Sequence, residues 1–510
     1  MLRPVRNRFA LYALVNIAFV LLVAIAGATS GYSNPRTFYL VSLFALCSTV
    51  VIDLDGFNGR YALLALFMLV YFVSFGVGDL SNLLPGYEPP LPLAREGVAG
   101  LLSAPEVVIL AGGVMWVLGY RLAVYMVAAN PPKRNPRDWS KTAILIVGVA
   151  LWAIGTAALY RWNVYILTDT TNEAVKKGLA SISPLVTSAY VLAQMCQPLG
   201  ILLLIYALII FRDSYLLIIV VASVIAQIFI GFVIDIKGVA MLGLILMIVS
   251  RVLLDGRLPK VWLAAGVLFV TIAYPYFTAY RSAIHGGGIA RTTVIENFAE
   301  ILQKTIAAKD KVNSGRDRAG TFLERSNVKG SVEIIVERTG DGVEFQRGHT
   351  LSPILVAFVP RILWSEKQGI APGQLFNKQF HLTDSDDISI SPSQLGELYW
   401  NFGWRGVLLG MSLIGLMCGW VGARFTLAEY RTVTRILVTV LTIKLLIVGF
   451  EGAIADAYVT WLRSLAGIGV LHLIFARLPA AAVSLRRADG EPRAISEQPR
   501  SGRLFPNLLS

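Results

Sequence analysis

Seven ionisable side chains stand where a long polar stretch meets apolar sequence. Arg281 closes the run Ala279-Tyr280-Arg281, Lys237 sits in Asp235-Ile236-Lys237-Gly238, and Arg361 interrupts Val359-Pro360-Arg361-Ile362-Leu363-Trp364. Arg338 and Arg347 flank the turn Thr339-Gly340-Asp341-Gly342, His349 follows in Gly348-His349-Thr350, and Glu397 precedes an aromatic run that reaches Trp404. Arginines gathered at a membrane boundary suit a phosphate ligand, because a guanidinium offers bidentate contacts that an ammonium cannot match. On a lipid-linked diphosphate, such cations would also stabilise the departing group in glycosyl transfer, a role often given to a metal. A transfer of that kind needs a base for the acceptor hydroxyl, and Glu397 and His349 are the two candidates.

Each of these residues has a plainer reading. Lys237 suits a lysine snorkelling from a tight external turn, Arg281 a boundary arginine, Arg338 and Arg347 solvated loop charges, and Glu397 a carboxylate favoured by the dipole at a helix start. Arg361 lies inside an apolar run, so it must reach water or bind an anion. Asp384, Asp386 and Asp387 lack the glycine-containing frame of a calcium loop and read as a solvated turn. The four histidines show no HxxH or HExxH spacing, so the sequence supports no metal site. No P-loop and no GxGxxG after a strand is present, which disfavours a nucleotide-driven pump, and no cofactor is indicated.

The elements that must position these groups are membrane helices. Of 510 residues 55% are hydrophobic and only 15% charged, against about 25% charge in a soluble domain. Runs long enough to cross a bilayer fall near 9–28, 38–54, 61–77, 107–126, 142–160, 185–210, 215–233, 238–254, 261–278, 403–421, 434–450 and 464–480. The first reads as a retained anchor. With the N-terminus inside, the short inner loops collect Arg60, Arg134, Arg137, Arg212, Arg251, Arg257, Arg424 and Arg431, and the even number of spans returns the basic tail to the cytoplasm. The net charge of +13 therefore sets orientation. Residues 281–405 carry fifteen basic and fourteen acidic residues, a balance of +1, which argues against nucleic acid as a partner. Cys47, Cys196 and Cys418 fall within spans and form no disulfide framework.

The reading that results is an all-α polytopic membrane protein with about twelve transmembrane helices. Nine spans occupy 1–278, a large external loop 279–402, three spans 403–480, and a disordered cytoplasmic tail 481–510. Within the loop, periodicity predicts an amphipathic helix over 292–311 and a second helical stretch over 322–337. The apolar run 352–364 is too short to span and suits the interface. Residues 365–392 read as irregular, and the aromatics after Glu397 lead into the tenth span.

The run Phe345-Gln346-Arg347-Gly348-His349-Thr350, then Val359-Pro360-Arg361-Ile362-Leu363-Trp364-Ser365-Glu366-Lys367, then Gly396-Glu397-Leu398-Tyr399-Trp400-Asn401-Phe402-Gly403-Trp404-Arg405-Gly406 resembles bacterial O-antigen and exopolysaccharide polymerases of the Wzy type. Those proteins have many spans, one large periplasmic loop late in the chain, and motifs of the form G-x-T, PR-x-x-W-x-x-K and GE-x-Y-x-N-x-G-x-x-G. The resemblance covers roughly 230–425. This chain departs from it at Lys367-Gln368, where members commonly have Lys-Pro. It implies a GT-C-like enzyme of the bacterial inner membrane that joins oligosaccharide repeat units carried on undecaprenyl diphosphate, by an inverting, metal-independent transfer on the periplasmic side. Arg361, Arg281 and Lys237, with Arg347 and Arg338, would hold the diphosphate, and Glu397 or His349 would activate the acceptor. A chain-length regulator is the protein partner such an enzyme implies.

Two other classes share the outline. An O-antigen ligase is chemically close. A flippase or other secondary transporter would place ionisable groups at mid-span, whereas these spans are nearly free of charge.

Overall fold

A computed structural model describes residues 2–30, 36–50, 60–81, 102–129, 139–161, 184–233, 237–255, 259–264, 328–359, 371–383, 389–425 and 432–475, with 266, 268, 303 and 364 as isolated positions. The predicted ninth span (apart from 261–264, 266 and 268), the helix over 292–311 (apart from position 303) and the tail 481–510 lie outside these residues. Helices α1 (Leu2–Ser30), α2 (Arg36–Ser48), α3 (Ala62–Ser81), α4 (Ala104–Ala129), α5 (Lys141–Arg161), α6 (Pro184–Phe211), α7 (Ser214–Val233) and α8 (Lys237–Asp255) come first. Short helices α9 (Lys329–Arg338), α10 (Ser352–Leu355) and α11 (Pro372–Phe380) follow, then α12 (Ser393–Phe425), α13 (Val433–Thr442) and α14 (Ile454–Phe475). The turn of α13 continues as a π-helical stretch to Ile447 and a 3-10 stretch to Glu451. Among the described residues there is no strand, only an isolated bridge between Thr339 and Val343.

Among the described residues, six helices are long and apolar enough to cross a membrane, and five further apolar helices are shorter. The chain is therefore a multi-pass, all-α membrane protein. Large apolar side chains face outward along these helices, Leu409 at 73% and Ile218 at 70% exposure among them. In lipid these positions need no cover, and association rests on close packing between helices instead. Small residues supply it. A Cβ on Gly119 of α4 would lie 2.0 Å from the Ser412 carbonyl of α12, and one on Gly415 would lie 2.1 Å from that of Trp116. Gly155 brings α5 as close to Gln197 of α6, and Gly231 brings α7 against Ala240 of α8. Aromatic packing fills the centre: Phe67 stacks on Trp116 at 3.6 Å, and Phe450 meets Phe67 and Phe75 edge-on and Tyr71 at a tilt.

The bundle has two chemically distinct ends. At one, Lys141 pairs with Asp213 of the α6–α7 turn, and Trp139 packs on Phe475 at the close of α14. At the other lie the Lys329–Glu106 pair and, separately, Glu397, as described below.

Three sequence expectations change. The last span starts at Ile454 rather than near 464, because its first turns carry Asp456 and Arg463 and so lose apparent hydropathy. The stretch 365–392 contains the helix Pro372–Phe380, whose proline occupies a first-turn position that needs no N–H. The helix before the tenth span does not simply lead into it. Gly403 has φ 59°, ψ −144° within α12, and the chain folds back so sharply that a Cβ on Gly406 would lie 2.2 Å from the Leu398 carbonyl. One on Gly410 would meet the Leu398 side chain at 2.4 Å. Helix α12 is thus a V whose first arm, 393–402, is almost wholly buried.

Candidate functional site

The bend at Gly403 frees backbone acceptors. In an uninterrupted helix the Trp400 and Asn401 carbonyls would bond four residues ahead; here they accept from Gln346 N–H (3.0 Å) and Arg347 N–H (3.1 Å). Asn401 completes the junction. Its Oδ1 accepts from Gly348 N–H at 2.8 Å, and its Nδ2 donates to Thr350 Oγ1 at 2.7 Å and to the Glu397 carbonyl at 2.8 Å. Gly348 has φ 90° and Arg347 φ 48°, so the loop makes a tight left-handed turn over the end of the first arm. The Gln346–Thr350 and Glu397–Gly406 segments, separate in sequence, are one structural unit.

A small aromatic core backs that unit. Phe376 and Phe380 of α11 pack edge-on against Trp400, with Ile335 of α9 beside them. Arg338 donates from Nη1 to the Phe380 carbonyl at 2.9 Å, at the negative end of α11, and Gln346 donates to Gln379 Oε1 at 2.7 Å. Arg338 therefore ties α9 to α11 while remaining exposed. Partial burial nudges the neighbouring, largely exposed Glu337 carboxyl upward, against the lowering effect of Arg338.

Glu397 is completely buried, and its Oε2 accepts from the Ile454 N–H at 2.6 Å, the first residue of α14. The carboxylate thus caps a different helix from its own, at the end where the dipole favours negative charge. Thr350 also faces it, and Asp456 is within electrostatic reach. His349 is placed differently. It is exposed at the start of a single 3-10 turn, beside exposed Arg347. Arg405 on the second arm is exposed as well, and Phe345 (39%), Phe402 (46%) and Trp404 (41%) surround the same bend. Phe345 touches Gly403 and Phe402 touches Gly348. The surface thus offers two arginines and an imidazole in an aromatic rim, suited to an anionic, partly apolar ligand at a membrane interface.

Of the remaining predicted residues, Lys237 begins α8, with its side chain outside the described residues. Arg361 and Arg281 lie outside them altogether.

Sequence reasoning missed a second group. Lys329, 2% exposed, places Nζ 3.0 Å from Glu106 Oε1, 3.6 Å from Glu333 Oε1 and 4.1 Å from the centre of the Tyr39 ring. Glu106 Oε2 accepts from Ser103 N–H at 2.9 Å, so Ser103-Ala104-Pro105-Glu106 forms half of a capping box at the head of α4. Val328 N–H donates to the Ser74 carbonyl, and Ser74 Oγ donates to Glu451 Oε1 at 3.2 Å. Arg463 of α14 donates to the Ala357 carbonyl at 3.0 Å and holds the segment after α10. Two signals were present: the Ser-x-x-Glu box, and Lys329 and Glu333 one helical turn apart. Lys444, in the π-helical stretch that continues α13, is an ionisable residue that the reading of nearly charge-free spans passed over.

Comparison with family models, with curated proteins and with solved structures gives no match to this chain.

Proposed function

We propose that this protein is a glycosyltransferase of the bacterial inner membrane that polymerises oligosaccharide repeat units carried on undecaprenyl diphosphate. In this reading about twelve spans place both termini in the cytoplasm and the segment 279–402 on the periplasmic side. The observation that carries the proposal is the junction of the Gln346–Thr350 loop with the bend of α12, which groups His349, Arg347 and Arg405 in an aromatic rim.

The acceptor hydroxyl attacks the anomeric carbon of the donor sugar, the bond from that carbon to the diphosphate oxygen breaks, and the lipid diphosphate leaves with the electron pair. His349, being accessible, takes the hydroxyl proton. Arg347, with Arg361, Arg281, Lys237 and Arg338, neutralises the departing diphosphate. Glu397, enclosed against α14, keeps the loop and the V in register. If substrate binding opened the junction, Glu397 would be the alternative base.

The test is polymerisation of a lipid-linked repeat unit by the full-length protein in liposomes. His349→Ala is expected to lower the rate by about 10²-fold, the low end of what a positioned proton acceptor supplies, and Arg347→Ala by about 10²-fold through lost charge on the departing diphosphate. Undiminished rate and polymer length in both variants would sink the assignment. A product that adds one unit to a lipid A acceptor and never grows would identify a ligase, and lipid-linked units moved across the bilayer unchanged would identify a flippase.

A further inference from the structure

The end of the bundle away from Glu397 holds a cavity of about 1090 Å³ between the α6–α7 turn, the close of α8 and residues 259–262. Among the described residues, Arg212, Arg251 and Lys260 line it with one carboxylate, Asp213. That carboxylate is already engaged by Lys141. The charge presented to a ligand is therefore cationic. Arg212 follows α6 with φ 57°, in a two-residue turn that leads directly into α7. It is held on the turn by the short connection and stays exposed.

The rest of the wall is apolar. Leu208, Leu217 and Trp262 line it, and Leu217 at 47% continues into Ile218 at 70% exposure along the outer surface of α7. A free inorganic anion has no use for such a wall. An amphiphile does: its phosphate meets the guanidinium groups, which can bind two oxygens at once, and its chain follows α7. Basic groups beside a membrane surface also attract anionic lipid over zwitterionic lipid.

We propose that this cavity binds the phosphate of an anionic phospholipid. The bound lipid ties the α6–α7 turn to the close of α8 through its headgroup.

The test uses the full-length protein in nanodiscs of phosphatidylcholine doped with phosphatidylglycerol whose acyl chains are brominated. Brominated phosphatidylglycerol is expected to quench the part of the tryptophan emission that Trp262→Phe removes, while brominated phosphatidylcholine at equal dose is not. Arg212→Gln with Lys260→Gln is expected to raise the half-quenching dose by about fivefold per charge removed, and Arg212→Lys with Lys260→Arg to leave it within about twofold. The charge-preserving pair reports on the cavity even if the neutral pair folds poorly. Equal quenching by both lipids, or an unchanged dose in the neutral pair, overturns the proposal. So does displacement of the brominated lipid by inorganic phosphate matched against chloride of equal ionic strength, which would identify a soluble anion as the ligand.

Discussion

Replacing Lys329 by Met should be among the most damaging single changes near the candidate site, and the structure says by how much. The Lys329 and Glu106 side chains are 3% and 8% exposed and 3.0 Å apart, so the pair lies in a low-dielectric interior. Removing one partner of a buried pair strands the other charge and costs about 3–5 kcal/mol. In Lys329→Met, Glu106 keeps the Ser103 N–H, which places the loss at about 3–4 kcal/mol. In Glu106→Gln, Lys329 keeps Glu333 at 3.6 Å and the Tyr39 ring, and the amide oxygen still accepts from Ser103. The loss should therefore be only about 1–2 kcal/mol. The double variant no longer strands a charge at Glu106 and should lie near about 2 kcal/mol, which gives a coupling of about 2–4 kcal/mol. Equilibrium unfolding of the full-length protein in mixed micelles of dodecyl maltoside and sodium dodecyl sulfate measures all four corners of the cycle. Additivity within about 0.5 kcal/mol would refute the pair as an anchor of α9 on α4.

Other expectations concern the V and its packing. Gly403→Ala must adopt a backbone conformation close to glycine-only territory, with its Cβ 3.3 Å from Phe345, and should lose about 1–3 kcal/mol in the same unfolding titration. Asn401→Ala removes three hydrogen bonds at a position 1% exposed. It should cost about 2–3 kcal/mol and expose the Gln346–Thr350 loop to limited proteolysis. Asn401→Asp keeps the acceptor for Gly348 and should fall between the two. Gly415→Leu drives a side chain into the Trp116 carbonyl, and the variant should fail to appear as a monodisperse peak on fluorescence-detected size exclusion, whereas Gly467→Leu, with open space around it, should elute as the parent does.

Four apolar runs in the first half were the most legible part of the chain. Apolar runs over 142–160, 185–210, 215–233 and 238–254 became helices Lys141–Arg161, Pro184–Phe211, Ser214–Val233 and Lys237–Asp255, each within a residue at either end. Hydropathy works there because lipid forces every backbone group to pair within its own helix, so the apolar run and the helix share their limits. It failed at α14, where Arg463 serves the Ala357 carbonyl and Asp456 lies beside Glu397. A charge with a tertiary partner depresses local hydropathy without ending the helix, and a window average cannot know the partner.

The V of α12 was illegible for a deeper reason. The sequence from Ser393 to Phe425 reads as one long helix, and the reversal shows only in the structure, in the non-helical φ and ψ of Gly403 and the contact of Gly406 with Leu398. Once that is known, the spacing Gly396-Glu397-Tyr399-Asn401-Gly403-Gly406 acquires a mechanical meaning. Gly396 admits Ile335, where a Cβ would lie 2.8 Å from its Cδ1; Glu397 caps α14; Asn401 grips the His349 loop; Gly403 makes the bend; and Gly406 closes it. These motif residues build the frame, and exposed His349 and Arg347 are what the frame presents. Substitutions in the frame should therefore reduce stability and activity together, whereas His349→Ala and Arg347→Ala should reduce activity and leave the unfolding midpoint within about 0.5 kcal/mol of the parent. A His349→Ala variant that unfolds as early as Asn401→Ala would mean the loop belongs to the frame as well, and the search for the proton acceptor would move to Glu397.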